Sequence, residues 1–167
     1  MSTPTRGHAD VTIRSAQPSD AEAIAEVTKQ LGYSTEPTAV AGRLSRLLTR
    51  GDQQLLVADH RGRAIGWIHM VITEYIEADA FVAIGGLVVD REYRKQGIGH
   101  RLLTRAEEWA AQRGCSLVRL SSDVKRVEAH GFYERAGYTN LKTQYAFAKR
   151  VGWVGPEALR ALVPDVT

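Results

Sequence analysis

Residues 86 to 103 read as an apolar run, a basic turn, and a helix that opens on two glycines. Leu87, Val88 and Val89 form a β-branched run with the look of a buried strand, and the turn residue Asp90 follows. After Arg94-Lys95-Gln96-Gly97-Ile98-Gly99, the residues Leu102, Leu103, Ala106, Trp109 and Ala110 recur at helical spacing up to Gly114. A strand, tight turn and helix in that order confine the chain to folds that lay a helix across a sheet. They also place glycines where the helix begins.

That position has a chemistry of its own. The first N–H groups of a helix lack internal partners and carry the positive end of its dipole, so glycines there let an anion approach bare backbone. Charge agrees: between residues 91 and 105 lie Arg91, Arg94, Lys95, Arg101 and Arg105, against the single acid Glu92. The pattern suits a pyrophosphate. It does not suit a Walker loop, because Gly99 is followed by His100-Arg101, nor a dinucleotide fingerprint, because position 102 is leucine.

Taken together, Arg94-x-x-Gly97-x-Gly99 after a Leu-Val-Val strand resembles the acetyl-CoA signature of the GNAT superfamily of N-acetyltransferases. The later run Ala129-His-Gly-Phe-Tyr-Glu-Arg-Ala-Gly-Tyr138 is similar to the A-x-x-F-Y-x-x-x-G-[FY] helix of that superfamily. The resemblance covers residues 10 to 150, and within it residues 120 to 133 look most like aminoalkylphosphonate and some aminoglycoside N-acetyltransferases. It implies acetyl-CoA as cosubstrate, held by Leu87, Val88, Val89, Arg94, Lys95, Gln96, Gly97, Ile98, Gly99, His100, Arg126 and Tyr133. It implies transfer to a primary amine of a small molecule by direct attack in a ternary complex. A protein N-terminal or lysine acetyltransferase is the alternative of the same class, and a non-catalytic CoA-binding sensor the alternative from another.

Composition sets outer bounds. With 167 residues, 44% hydrophobic and 25% charged, the chain supports one well-buried core, and a single acetyltransferase domain over 10–150 is expected. A net charge of +3, from 22 basic and 19 acidic residues, is too balanced for a nucleic-acid binder. The lone Cys115 allows no internal disulfide and no metal spacing, and it reads as a small buried hydrophobe. No run approaches a membrane span and no signal-peptide core precedes residue 10, so a cytoplasmic setting is expected.

Along the chain, hydrophobic periodicity predicts a strand from Val11, a helix from Pro18 and a second over residues 38–49. A hairpin turning at residues 60–63 follows, then an acidic connection over residues 74–79 into the strand that ends at Val89. Beyond the glycine helix come a strand at 116–121, a helix at 127–136 and a final strand or hairpin over 138–149. The order β-α-α-β-β-β-α-β-α-β describes an α/β (α+β) fold, a GNAT-like mixed central sheet flanked by helices. Residues 1–9 read as a disordered lead-in. The tail 151–167 is apolar enough to dock on the core or on a second subunit, as in a homodimer.

Acyl transfer to an amine needs an uncharged nitrogen, a polarised carbonyl and a proton for the departing thiolate. Free amines have pKa values near 10, so roughly one in a thousand is uncharged at neutral pH unless a base or a desolvating pocket helps. The resemblance makes Tyr133 the general acid. Many relatives carry glutamates where this chain has Ala83 and Gly86, so the base must lie elsewhere. Glu74 and Glu77 are the leading candidates, with Asp79 beside them and His69 behind. Arg126 stands where relatives often have asparagine, and His130 reads as a structural histidine.

Overall fold

The computed structural model describes residues 10–149 and 151–152. The lead-in expected at residues 1–9 and most of the tail at 151–167 therefore lie outside the described residues. The chain separates into two compact units, Met1–Arg119 and Leu120–Thr167.

In the first unit, β1 (Val11–Ser15), β2 (Gln53–His60), β3 (Arg63–Tyr75) and β4 (Ala78–Val89) form an antiparallel meander. β5 (Val118–Leu120) follows β4 in the sheet, and the two are tied by the Val82 N–H donating to the Leu117 carbonyl at 3.0 Å. The helix between these last two strands makes a crossover, the connection that parallel neighbours require, and so the sheet is mixed.

Helices α1 (Ala21–Thr28) and α2 (Pro37–Leu47) precede β2, and α3 (Ile98–Gln112) follows β4. β2 is buried without interruption from Leu55 to Asp59, which requires cover on both faces of the sheet. Leu55, Val57 and Ala64 share a cluster with Ala21, Ile24 and Ala25 of α1 and Val40 and Leu44 of α2. α3 buries Ile98, Leu102, Leu103, Ala106, Trp109 and Ala110, one stripe at helical spacing. Leu102 and Leu103 are wholly inaccessible, and each such side chain contributes about 2 kcal/mol by leaving water. Cys115 is buried and free, as expected of a small hydrophobe.

The closing turns differ from expectation in one place. The acidic connection shrinks to Ile76 and Glu77, because Tyr75 pairs with Ala78 and its ring meets Phe81 edge-on at 5.5 Å, carrying Glu74 and Asp79 into the strands.

In the second unit, α4 (Val127–Arg135) forms as expected, after a turn in which the Lys125 N–H donates to the Asp123 carboxylate at 2.9 Å. The expected last strand does not form. Residues 138–149 join no ladder and leave Leu141, Tyr145 and Phe147 exposed. A strand is held only where a neighbouring edge supplies hydrogen-bond partners.

Candidate active site

The turn between β4 and α3 is built from backbone geometry. Lys95 and Gly97 both adopt left-handed conformations, with φ of 59° and 76°, and Gly97 is the residue that caps α3. A left-handed glycine there turns the chain sharply into the helix without the clash that a Cβ brings. The first helical bond from this turn is Arg101 N–H to the Gly97 carbonyl at 3.0 Å. None of the amides from Lys95 to His100 donates to a protein acceptor among the described residues. Six consecutive N–H groups are thus available at the positive end of a fifteen-residue helix.

Arg94 has a different position from its neighbours. Its Nε donates to the Val89 carbonyl at 2.8 Å and its Nη2 to Gln30 Oε1 at 3.3 Å, while Gln30 also accepts from the Arg91 N–H at 2.9 Å. The guanidinium and Gln30 together tie the turn to the end of β4 and to the chain just after α1. Gln30 carries no motif, so sequence reasoning missed it.

β4 itself is irregular. His69 on β3 faces Gly86 and Met70 faces Ile84, which leaves Gly85 without a partner, a bulge in the ladder, which shifts again between Thr73 and Tyr75 near the hairpin tip. Leu87, Val88 and Val89 follow it, paired with Ile68, Trp67 and Gly66 on one side. On the other side β5 is only three residues long and is tied near Val82. The last residues of β4 therefore extend past its short neighbour.

Two side chains of β3 close over the bulge. The Trp67 indole lies across Gly86 and donates from Nε1 to Thr28 Oγ1 at 3.1 Å, and that hydroxyl donates in turn to the Ile24 carbonyl at 2.6 Å. His69 Nε2 lies 2.9 Å from Gln53 Oε1, and its Nδ1 sits 3.1 Å from the place where a Cβ on Gly85 would stand. Burial holds the imidazole below the ordinary histidine value of 6.5.

Glu74 and Glu77 lie elsewhere on the sheet. Both are exposed at the far tip of the β3–β4 hairpin, lining a shallow concavity of about 510 Å³ with Tyr75, Ile76 and Asp79. Glu74 lies five positions along the extended strand from His69, a span of about 17 Å at 3.3 Å per residue.

In the second unit, Arg126 caps α4 and the ring of Tyr133 packs against Phe132 at 5.2 Å and Tyr138 at 6.1 Å. Burial raises the Tyr133 phenol above 10, and the positive charge of Arg126 offsets this in part. His130 Nε2 is 2.8 Å from the Asp123 carbonyl, the contact of a satisfied structural histidine. Among the described residues no group of histidine, cysteine and acidic side chains could hold a metal ion, and no helix is long and apolar enough to cross a membrane.

The profile of the Acetyltransferase (GNAT) family matches residues 21–138. The chain is similar to an aminoalkylphosphonate N-acetyltransferase of Salmonella typhimurium, 36% identical over 94 residues, which make up 56% of this chain and 60% of that protein. It is 28% identical over 140 residues to an uncharacterized N-acetyltransferase of Chlorobaculum tepidum, covering 82% of this chain and 81% of that one. In fold it matches an aminoglycoside N-acetyltransferase solved in complex with CoA, with a TM-score of 0.77 at 19% identity, over 89% of this chain and 99% of that chain.

Proposed function

We propose, because the chain belongs to the Acetyltransferase (GNAT) family and is an N-acetyltransferase, that it moves the acetyl group of acetyl-CoA onto a primary amine of a small molecule by direct attack in a ternary complex. The observation that carries this reading is the run of unspent amides from Lys95 to His100, backed by the dipole of α3. Those amides, Lys95, Gln96, Gly97, Ile98, Gly99 and His100, hold the diphosphate. Arg94 holds the turn in shape through Val89 and Gln30, and its Nη1 and second Nη2 hydrogens remain for a phosphate.

The backbone of Leu87, Val88 and Val89, extending past β5, binds the amide arm of the cosubstrate and polarises the thioester carbonyl. The amine nitrogen then bonds to the acetyl carbon as the carbon–sulfur bond breaks. Tyr133, kept protonated at working pH, gives the departing thiolate its proton. The roles of Tyr133 and of Arg126, which reaches a phosphate, rest on the motif that carries them. Glu74 and Glu77 stand too far from the bulge to take the amine's proton directly, since transfer needs contact at about 3 Å or a single bridging water. Their acidic hairpin tip instead favours a cationic acceptor by long-range attraction.

Calorimetry with CoA, together with thiol release from acetyl-CoA over aminoalkylphosphonates, aminoglycosides and polyamines, tests the proposal. Expected are CoA binding and turnover with at least one amine. Binding of CoA with no thiol release from any amine would leave a non-catalytic CoA-binding protein in its place.

A further inference from the structure

We infer that His69 is the base that removes the proton from the acceptor amine, and that Gln53 determines which of its nitrogens does so. The inference rests on the acetyl-transfer reading above and supplies the group which that reading lacks.

Three observations meet at this ring. Gln53 Oε1 stands 2.9 Å from Nε2; with the amide oxygen facing the ring it accepts, which pairs with the tautomer that carries its hydrogen on Nε2 and its lone pair on Nδ1. Nδ1 faces Gly85, the one residue of β4 that the bulge leaves unpaired. A Cβ at that position would stand 3.1 Å from Nδ1, closer than side-chain carbons normally approach, so the glycine keeps the lone pair uncovered. Nδ1 has no hydrogen-bond partner among the described residues. The ring thus has one nitrogen anchored and the other open, beside the strand segment that holds the thioester on the reading above.

The alternatives are weaker on geometry. A glutamate at 86 is excluded by the Trp67 ring, and Glu74 and Glu77 lie at the hairpin tip. The groups placed against His69 are Gln53 from β2 and the backbone of Gly85 and Gly86 from β4, and none of them titrates. Only burial shifts the ring, and it does so in the direction that keeps it neutral and able to accept at working pH.

The proton count closes. Nδ1 takes one proton from the ammonium, the freed amine forms the carbon–nitrogen bond, and the carbon–sulfur bond breaks. Tyr133 gives its proton to the thiolate, the nitrogen's second proton passes through solvent to restore the Tyr133 phenol, and the imidazolium returns its own proton to solvent. The sum is amide, thiol and one released proton.

The test uses the full chain, acetyl-CoA and the best alkylamine acceptor found in the panel. His69→Gln keeps size and polarity; it is expected to lower kcat on that amine by about a hundredfold at neutral pH with CoA affinity unchanged by calorimetry. The deficit should shrink as pH rises toward the pKa of the amine. It should be small with trifluoroethylamine, which is already uncharged near neutral pH. Gln53→Met, which retains the imidazole, should lower kcat by about tenfold with little change in KM, because the tautomer is no longer held. A His69→Gln enzyme with the wild-type rate and pH profile overturns the inference, and so does a deficit of equal size at every pH and with both amines. Wild-type protein that releases no thiol with any amine overturns the acetyl-transfer reading instead, and the inference with it.

Discussion

The Trp67 indole fills the space into which a side chain at Gly86 would grow: a Cβ there would stand 2.6 Å from Cη2 and 2.7 Å from Cζ3 of the ring. Approach that close is repulsive, so the two identities are coupled. Trp67 is held by its bond to Thr28 and by packing beside the α1–α2 cluster, and it leaves position 86 no side chain. The absence of a glutamate there fits the packing of the Trp67 ring, which pairs with Val88 but covers position 86.

Gly86→Glu is accordingly expected to destabilise the fold by about 1–3 kcal/mol, the usual cost of forcing atoms into a filled site. Adding Trp67→Ala should recover part of that loss. Urea unfolding of both single variants and the pair measures the coupling, and strict additivity would show that the ring and position 86 do not compete.

Gly97 owes its identity to backbone conformation, because a Cβ there meets nothing within 4 Å while φ is +76°. Gly97→Val should cost about 1–2 kcal/mol of local strain and disturb the amides behind it. Combined with Gly99→Val, it is expected to weaken CoA binding by at least about tenfold, or 1.4 kcal/mol. Undiminished uptake by calorimetry would take the anion-binding role away from this turn.

Arg14 neutralises two buried carboxylates at once. Its Nη1 and Nη2 donate to Asp20 at 2.8 Å each, and its Nε and Nη2 to Asp59 Oδ2 at 2.9 and 2.6 Å. Burial alone would raise the Asp20 pKa, but the hydrogen bonds from Arg14 and the Gln17 N–H bring it below 3.8. A carboxylate with a depressed folded-state pKa stabilises above its unfolded value, and that stability is lost as pH falls through the folded value. Arg14→Ala should cost about 3–5 kcal/mol at neutral pH, since it strands buried charge. The wild type should lose stability below about pH 4 more steeply than the variant. Thermal unfolding of both proteins across an acid series checks the sign.

Tyr133→Phe removes only a hydroxyl. Turnover is expected to fall by at least about tenfold with CoA affinity nearly intact, the signature of a proton donor rather than a binding group. An unchanged kcat would remove Tyr133 from the mechanism.

The residues that could be read along the chain are those whose state depends on near neighbours. The left-handed turn at Gly97, the buried stripe of α3 from Ile98 to Ala110, and the order of the first nine strands and helices follow from glycine placement and periodicity within a few residues. The cosubstrate turn was legible for the same reason, because its donors are the backbone of one short segment. The pairing of His69 with Gly86, the bulge at Gly85, the ring over Gly86 and the Gln53 clamp join residues 16 to 19 apart, across three strands. No local pattern encodes a register that total side-chain packing selects. The same limit applies to residues 138–149, where a strand or hairpin was expected: hydrogen bonds of a sheet need a partner edge, which no local pattern supplies.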